Sequence, residues 1–181
     1  MITNKQELRE YIKYETNDFK HKILLRVPFD LFESQIIAKY LILLRKTEYH
    51  VNSNHKIRKI LYMLRLKRKQ CRYGIHIPIN VFDIGLSIAH LGTIVVNGNA
   101  KVGRNCRIHV GVVIGANGEK IRGGDIPELG DNIYLGPGCK IFGKIKIADD
   151  TKIGANAVVN KSCICKDSIL VGVPAKRKEL K

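Results

Sequence analysis

The sequence predicts a mainly β fold, a parallel β-helix preceded by a small α-helical region. Two observations predict it: an apolar residue recurs every six positions, and the residue four places further on is again small or apolar. Such hexapeptide repetition is typical of a β-helix, in which stacked coils bury one shared core. The lead positions are Pro78, Ile84, His90, Val96, Val102, Ile108, Ile114, Leu129, Leu135, Ile141, Ile147, Ile153, Val159, Cys165 and Val171.

The region 1–73 has a helical rather than a six-residue pattern. The first helix is predicted over 4–22 behind a capping box of Thr3 and Gln6, and the second from Pro28 to about residue 46. A third helix is predicted behind a cap at 53 or 54. Its apolar stripe is Ile57, Ile60, Leu61 and Leu64. The helical region is too short for a thick core of its own, so we expect it to pack on the β-helix or on a neighbouring subunit.

The β-helix is predicted over 74–176. A nine-residue insertion, 120–128, leaves the register intact on both sides, so we expect a loop extruded from a corner of the coil. Residues 177–181 are predicted to be a basic tail that frays. At 181 residues the chain has room for one domain with a modest appendage.

The cysteines and the N-terminus favour the cytoplasm. Four of the five cysteines, Cys106, Cys139, Cys163 and Cys165, fall on inward positions of the repeat, and there is no C-x-x-C pair. This indicates buried thiols in a reducing compartment rather than disulfides or zinc. We see no signal peptide, and no apolar run is long enough to span a membrane.

The net charge of +16 is concentrated in the region 1–77, where Lys and Arg outnumber Asp and Glu by 17 to 7. Nucleic acid, an anionic membrane surface, an anionic substrate and a merely solvated surface are the alternatives. Without an aromatic stacking array or a helix-turn-helix pattern, we expect no nucleic-acid partner. Contact with the inner membrane face remains open.

His90 interrupts the aliphatic column of lead positions. A buried imidazole with no partner would lose its hydrogen bonds to water, which favours a functional role. Positions 18 apart stack roughly 4.8 Å apart, so His76, His90 and His109 are predicted to share one edge. Each could be an ordinary half-exposed histidine. Three histidines could also bind zinc, but the H-x-x-x-x-H pair is absent and we expect no metal.

Three segments carry a resemblance to a known family: 88–96 around His90, Gly123-Gly124-Asp125, and the closing Val171-Gly172-Val173-Pro174-Ala175. They resemble the serine acetyltransferase branch of the hexapeptide-repeat acyltransferases, over about residues 74–178. The stretch 76–82 is more similar to capsule and exopolysaccharide O-acetyltransferases. The resemblance implies a left-handed β-helix, a homotrimer, and active sites between subunits that bind acetyl-CoA. Whether trimers pair through the helical region stays open.

The resemblance assigns His90 as the general base that takes the proton of an acceptor hydroxyl. His109 and Asp125 are candidates for holding this imidazole or the acceptor, and His76 is a further candidate for the acceptor. The residues implied for the acetyl-CoA groove are Gly136, Pro137, Gly138, Ala155 and Asn156, with Lys176, Arg177 and Lys178 for the phosphates.

The chain departs from the serine acetyltransferase pattern at three places. Ala89 stands where an Asp precedes the catalytic histidine, and Ile75 where a second Asp orients it. After the loop's Gly-Gly-Asp the family has Arg-His-Pro, whereas this chain reads Asp125-Ile126-Pro127, one residue shorter. We therefore expect O-acetylation of a sugar hydroxyl of a surface polysaccharide or its precursor. Serine O-acetylation is the alternative, and a non-enzymatic scaffold is a third hypothesis.

Overall fold

The computed structural model describes residues 1–17, 19, 30–117 and 125–178. Within them lie three helices, α1 (Lys5–Glu15), α2 (Glu33–Asn52) and α3 (Lys56–Tyr73). The strands are β1 (Ile75–His76), β2 (Ser87–Ile88), β3 (Ile94–Val96), β4 (Lys101–Val102), β5 (Arg107–Ile108), β6 (Val113–Gly115), β7 (Glu128–Leu129), β8 (Tyr134–Leu135), β9 (Lys140–Phe142), β10 (Lys146–Ile147), β11 (Lys152–Ile153), β12 (Val158–Val159), β13 (Ile169–Val171) and β14 (Lys176–Arg177).

The strands form three sheets, as the walls of a prism. The first sheet has the order β1-β3-β6-β9-β12, the second β10-β7-β4, and the third β14-β13-β11-β8-β5-β2. All neighbours are parallel except β13 and β14. Strands that return to the same sheet once per coil are the pattern of a parallel β-helix, so the predicted fold class is confirmed.

The predicted register holds in the middle coils. Every lead and fourth position from Ile94 to Val159 that the structure describes is buried. Val95 lies opposite Val113, three hexapeptides further on, and Ile108 lies opposite Leu135, three hexapeptides and the insertion further on. The insertion therefore lengthens one coil without disturbing the stack, as predicted, although 118–124 lie outside the described residues.

The predicted register is wrong for the first coil. Ile88 pairs with Ile108, two positions more than three hexapeptides, and Phe82 bridges Val102 with the same offset. The two extra residues in this coil shift the column, so Ile77, Phe82 and Ile88 are buried in it and the predicted leads Pro78, Ile84 and His90 are not. His90 is exposed at the corner after β2.

The last coil is shorter than the repeat. Ile153 pairs with Leu170, one position short of three hexapeptides, so Leu170 enters the core and Val171 is exposed. Cys165 is exposed and Cys163 half-buried, which corrects their predicted inward positions; Cys106 and Cys139 are buried as predicted.

The predicted fraying of the basic tail is wrong for residues 177 and 178. Residues 176–177 form β14 against β13, and the Lys178 amide bonds the Ile169 carbonyl, while 179–181 lie outside the described residues.

The helix bounds differ from the prediction at several ends. Asn4 caps α1 by accepting from the Glu7 amide, and α1 ends at Glu15. The predicted start of the second helix at Pro28 lies outside the described residues, and α2 runs on to Asn52. His55 precedes α3 without a side-chain cap, contrary to the predicted cap at 53 or 54.

The helices α1 and α2 are joined to the first coil by a buried ionic cluster around Arg45. Its guanidinium bonds Glu15 and Glu48 and donates to the carbonyl oxygens of Phe82 and Asp83, both at 2.9 Å. Each nitrogen of the buried cation has a carbonyl or carboxylate partner, as a buried charge requires. The cluster fixes α2 against the coil that leads to His90.

Among the described residues, no helix is both long and apolar enough to cross a bilayer.

Candidate active site

His90 lies at the corner after β2, beside the first residue of α2. Its side chain is 63% exposed, and its Nδ1 is 3.4 Å from Oε2 of Glu33. The other carboxylate oxygen of Glu33 accepts a hydrogen bond from the Leu91 amide at 2.7 Å. One carboxylate thus contacts both the imidazole and the backbone that carries it.

Glu33 is electrostatically suited to this place. A carboxylate in the first turn of a helix is favoured by the positive end of the helix dipole. The Leu91 amide lowers the pKa of Glu33; slight burial opposes this, and the contact with His90 adds to the lowering. Glu33 is therefore ionised at neutral pH. Sequence reasoning missed it because no pattern links it to a histidine so distant in the sequence.

His109 lies next to His90, one coil further on. Their ring centroids are 6.5 Å apart, and His109 is 5.1 Å from the ring of Tyr134. Burial lowers the pKa of His109, helped by Arg107 and His90, so its ring is neutral at pH 7. Its Nε2 is buried and has no hydrogen-bond partner among the described residues.

The predicted edge of three histidines forms only in part. His90 and His109 follow β2 and β5 of the third sheet, as the repeat predicts for neighbours. His76 is on β1 of the first sheet, opposite Val95, and is exposed. Placing His76 on the same edge was wrong. Its neighbour in the next coil is Val95 of β3, which belongs to the first sheet, whereas His90 follows β2 of the third sheet. Asp125 is half-buried at the end of the insertion.

A groove of about 720 Å³ runs from His90 along α1, α2 and the first coil. Its walls include apolar Phe32, Ala38 and Leu86 and the polar Glu33 and Ser34. This size and this mixture of surfaces suit a small-molecule site. An acceptor bound here would lie against the exposed imidazole.

The residues predicted for acetyl-CoA lie on the same edge as His90 and His109. Gly136 follows β8, and Ala155 follows β11, in the sheet that also contains β2 and β5. Asn156 donates its amide to the Pro137 carbonyl at 2.8 Å, which stacks the two corners. A Cβ at Gly138 would approach Asn156 Oδ1 to 2.2 Å, so this corner requires glycine. Pro137, Ala155 and Asn156 are exposed.

The three basic residues predicted for the phosphates are exposed at the end of the same sheet. Lys176 and Arg177 form β14, and the Lys178 amide bonds the Ile169 carbonyl at 2.7 Å. The backbone of this cluster is thereby fixed while its side chains face solvent.

The two buried cysteines, Cys106 and Cys139, are expected to be unreactive. Burial raises the pKa of Cys106, and it raises the pKa of Cys139 to about 12. Both are therefore thiols at neutral pH and poor nucleophiles. Among the described residues there is no group of three or more His, Cys, Asp or Glu side chains that could hold a metal ion.

No family profile matches the chain. The serine acetyltransferase of Mycobacterium tuberculosis is 39% identical over 97 residues, covering 54% of this chain and 42% of the relative. The serine acetyltransferase of Helicobacter pylori is 37% identical over 108 residues, covering 58% of this chain and 62% of the relative. The chain thus spans about half the length of the curated relatives that it matches.

A crystal structure of Neisseria gonorrhoeae serine acetyltransferase superposes with a TM-score of 0.68 at 24% identity, covering 98% of this chain and 69% of that one. A serine acetyltransferase structure in complex with CoA gives 0.67 at 22%, covering 96% and 70%. The chain has the serine acetyltransferase fold. This fold confirms the left-handed β-helix with N-terminal helices. These relatives bear the name serine acetyltransferase, not that of the capsule enzymes that the motif at 76–82 favoured.

Proposed function

We propose that the chain is an acetyl-CoA-dependent O-acetyltransferase with His90 as general base. The observation that carries the proposal is the exposed imidazole at the end of the groove, with Nδ1 beside the ionised Glu33. The fold, shared with a serine acetyltransferase solved with CoA, supports the choice of donor. The site needs no metal for this chemistry.

The reaction follows from the positions of the two side chains. With Nδ1 protonated and facing Glu33, Nε2 of His90 takes the proton of the acceptor hydroxyl. The acceptor oxygen forms a bond to the thioester carbonyl carbon, the C–S bond breaks, and the CoA sulfur receives the proton from the imidazolium. Glu33 stabilises the transient positive charge and holds the ring in one orientation. The transfer is direct, because the buried thiols of Cys106 and Cys139 are not available as nucleophiles.

We assign to Glu33 the role of orienting His90, for which the sequence suggested His109 or Asp125. The neutral His109 packs one coil from His90, and its buried Nε2 does not face the groove solvent. Asp125 would act only from a neighbouring subunit, in a homotrimer with acetyl-CoA in the crevice between subunits. In that arrangement Gly136 and Gly138 line the pantetheine arm, and Lys176, Arg177 and Lys178 face the phosphates.

Serine is the first candidate acceptor, because the relatives from both bacteria bear that name. A sugar hydroxyl is the second, and particular residues favour it. Ile126 and Pro127 follow Asp125 without the Arg and His that would meet a serine carboxylate.

The test is thiol release from acetyl-CoA by the full chain with serine and, separately, with a panel of sugars. We expect turnover with one acceptor class and a loss of about 10²- to 10⁴-fold in kcat for His90→Ala, the usual contribution of a general base. Turnover with serine alone would exclude the sugar candidate, and turnover with sugars alone the serine candidate. Equal turnover by wild type and His90→Ala would overturn the mechanism.

A further inference from the structure

The helix α3 presents an apolar stripe to solvent. Ile57 is 83% exposed, Ile60 59%, Leu61 44% and Leu64 65%. Their spacing of i, i+3, i+4 and i+7 puts all four on one helical face. The opposite face packs on the rest of the molecule through the buried Leu66 and Gln70. In the single chain this stripe is therefore exposed to solvent.

Cations line both sides of this stripe. The helix contains eight Lys and Arg residues and no acidic residue between Lys56 and Tyr73. At about 100° per residue, Lys56 and Lys67 lie on one flank of the stripe, and Arg58, Arg65 and Arg72 on the other. All five are exposed.

The apolar surface continues beyond the helix. Ile60 and Leu64 share a groove of about 380 Å³ with Met63, Val51 and Ile79. The remaining residue that lines this groove is the polar Lys59, whose ammonium donates to the Asn54 side chain. The stripe is therefore one side of a wider apolar patch bordered by positive charge.

We propose that α3 docks this protein on an anionic lipid surface, with its axis in the plane of the membrane. A helix with one apolar face, flanked by lysine and arginine, and an otherwise polar surface has the pattern of helices that lie in the membrane interface. The stems of the flanking cations lie along apolar surface while their charged ends reach the phosphates. The inference is independent of the proposed acetyl transfer.

Charge favours lipid over a second α3 packed on the stripe. Two α3 helices facing each other would bring together ten flanking cations, five from each helix, with no acidic residue of either helix between them. Anionic headgroups neutralise the same charges, each cation near the surface adding to the binding. The exposed Ile and Leu side chains then enter the boundary between headgroups and acyl chains.

The test is co-sedimentation of the full chain with vesicles of phosphatidylcholine alone and with admixed phosphatidylglycerol. We expect binding only to the anionic vesicles, weakening with added salt. The double variant Arg58→Gln/Arg65→Gln should bind about 30-fold more weakly, from the usual contribution of two cations. Ile57→Ser/Leu64→Ser should also lose binding, and both variants should fold, because all four side chains are exposed.

The matched control is Lys144→Gln/Lys161→Gln, which removes two exposed charges from the β-helix and should bind as wild type. Equal loss in this control would mean that net charge alone attracts the protein and would overturn the role of α3. So would binding to phosphatidylcholine alone, or no vesicle binding. Self-association that Ile57→Ser/Leu64→Ser abolishes, measured by sedimentation velocity without lipid, would assign the patch to a second copy instead.

Discussion

Glu33→Gln separates the charge of this side chain from its shape. Glutamine can still accept the Leu91 amide through its carbonyl oxygen, so the start of α2 and the corner at His90 keep their contact. It places a neutral amide where the carboxylate faced Nδ1. The imidazolium that forms during proton transfer then has no neighbouring negative charge from this residue.

The expected loss of activity follows from how exposed the contact between Glu33 and His90 is. A hydrogen bond to a charged partner contributes about 1.5–3 kcal/mol when buried. Glu33 is 47% exposed, His90 is 63% exposed and the contact is 3.4 Å, so solvent reduces this contribution. We take about 1.4 kcal/mol, which corresponds to about a tenfold loss of kcat/KM. The loss should lie in kcat, because the interaction is strongest in the transition state.

The assay is steady-state thiol release, with whichever acceptor gives turnover in the comparison of serine and sugars, together with thermal unfolding. The matched control is Glu128→Gln, whose side chain is also 47% exposed and pairs with Lys101 and Lys146 on the second sheet. We expect the control to keep wild-type kcat. A Glu33→Gln enzyme with unchanged kcat, or one whose loss tracks a lower unfolding temperature, would refute the orienting role of this carboxylate.

Three further predictions concern stability, each measured by denaturant unfolding. Arg45→Met leaves buried carboxylates unpaired and should cost about 3–5 kcal/mol. Tyr11→Phe removes a bond to Asp83 and should cost about 1 kcal/mol at neutral pH. Burial raises the pKa of Asp83, but the hydrogen bonds from Tyr11 and the Ile84 amide outweigh it and hold the pKa below its ordinary value. The stability that Tyr11 contributes is therefore present above the ordinary pKa and is lost as the pH falls through the lowered pKa. Wild type and Tyr11→Phe should accordingly become equally stable in acid. Ile141→Ala, in the core, should cost about 2–5 kcal/mol at all pH values where the protein folds.

The middle of the β-helix could be predicted because each coil repeats one local solution. An aliphatic side chain such as Ile114 or Ile141 packs on its equivalent one coil away, and every such contact imposes the same period. The insertion does not disturb this, since both its ends return to the register. Glycines at corners such as Gly138 follow from the close approach of the next coil.

The ends of the β-helix could not be predicted from the period, because their neighbours are not coils. The first coil carries α1 and α2, and its carbonyls at Phe82 and Asp83 face Arg45 instead of continuing the six-residue pattern. At the other end β14 pairs antiparallel with β13. The contact of Glu33 with His90 could not be predicted either, since it depends on how α2 packs on the first coil rather than on a spacing of residues in the sequence.

His90 was singled out for the wrong physical reason, and the error explains how the site is built. In a first coil of three regular hexapeptides, His90 would stack on Ile108 inside the column, where no acceptor could reach it. The two extra residues of the observed coil put Ile88 there instead and move the imidazole to the corner, within 3.4 Å of Glu33. The irregular coil and the helices therefore form one site: a chain beginning at Gly74 would retain His90 and the proposed acetyl-CoA edge, but it would lack Glu33 and the helical wall of the groove. We expect it to lose more activity than Glu33→Gln, because the acceptor surface is lost together with the charge.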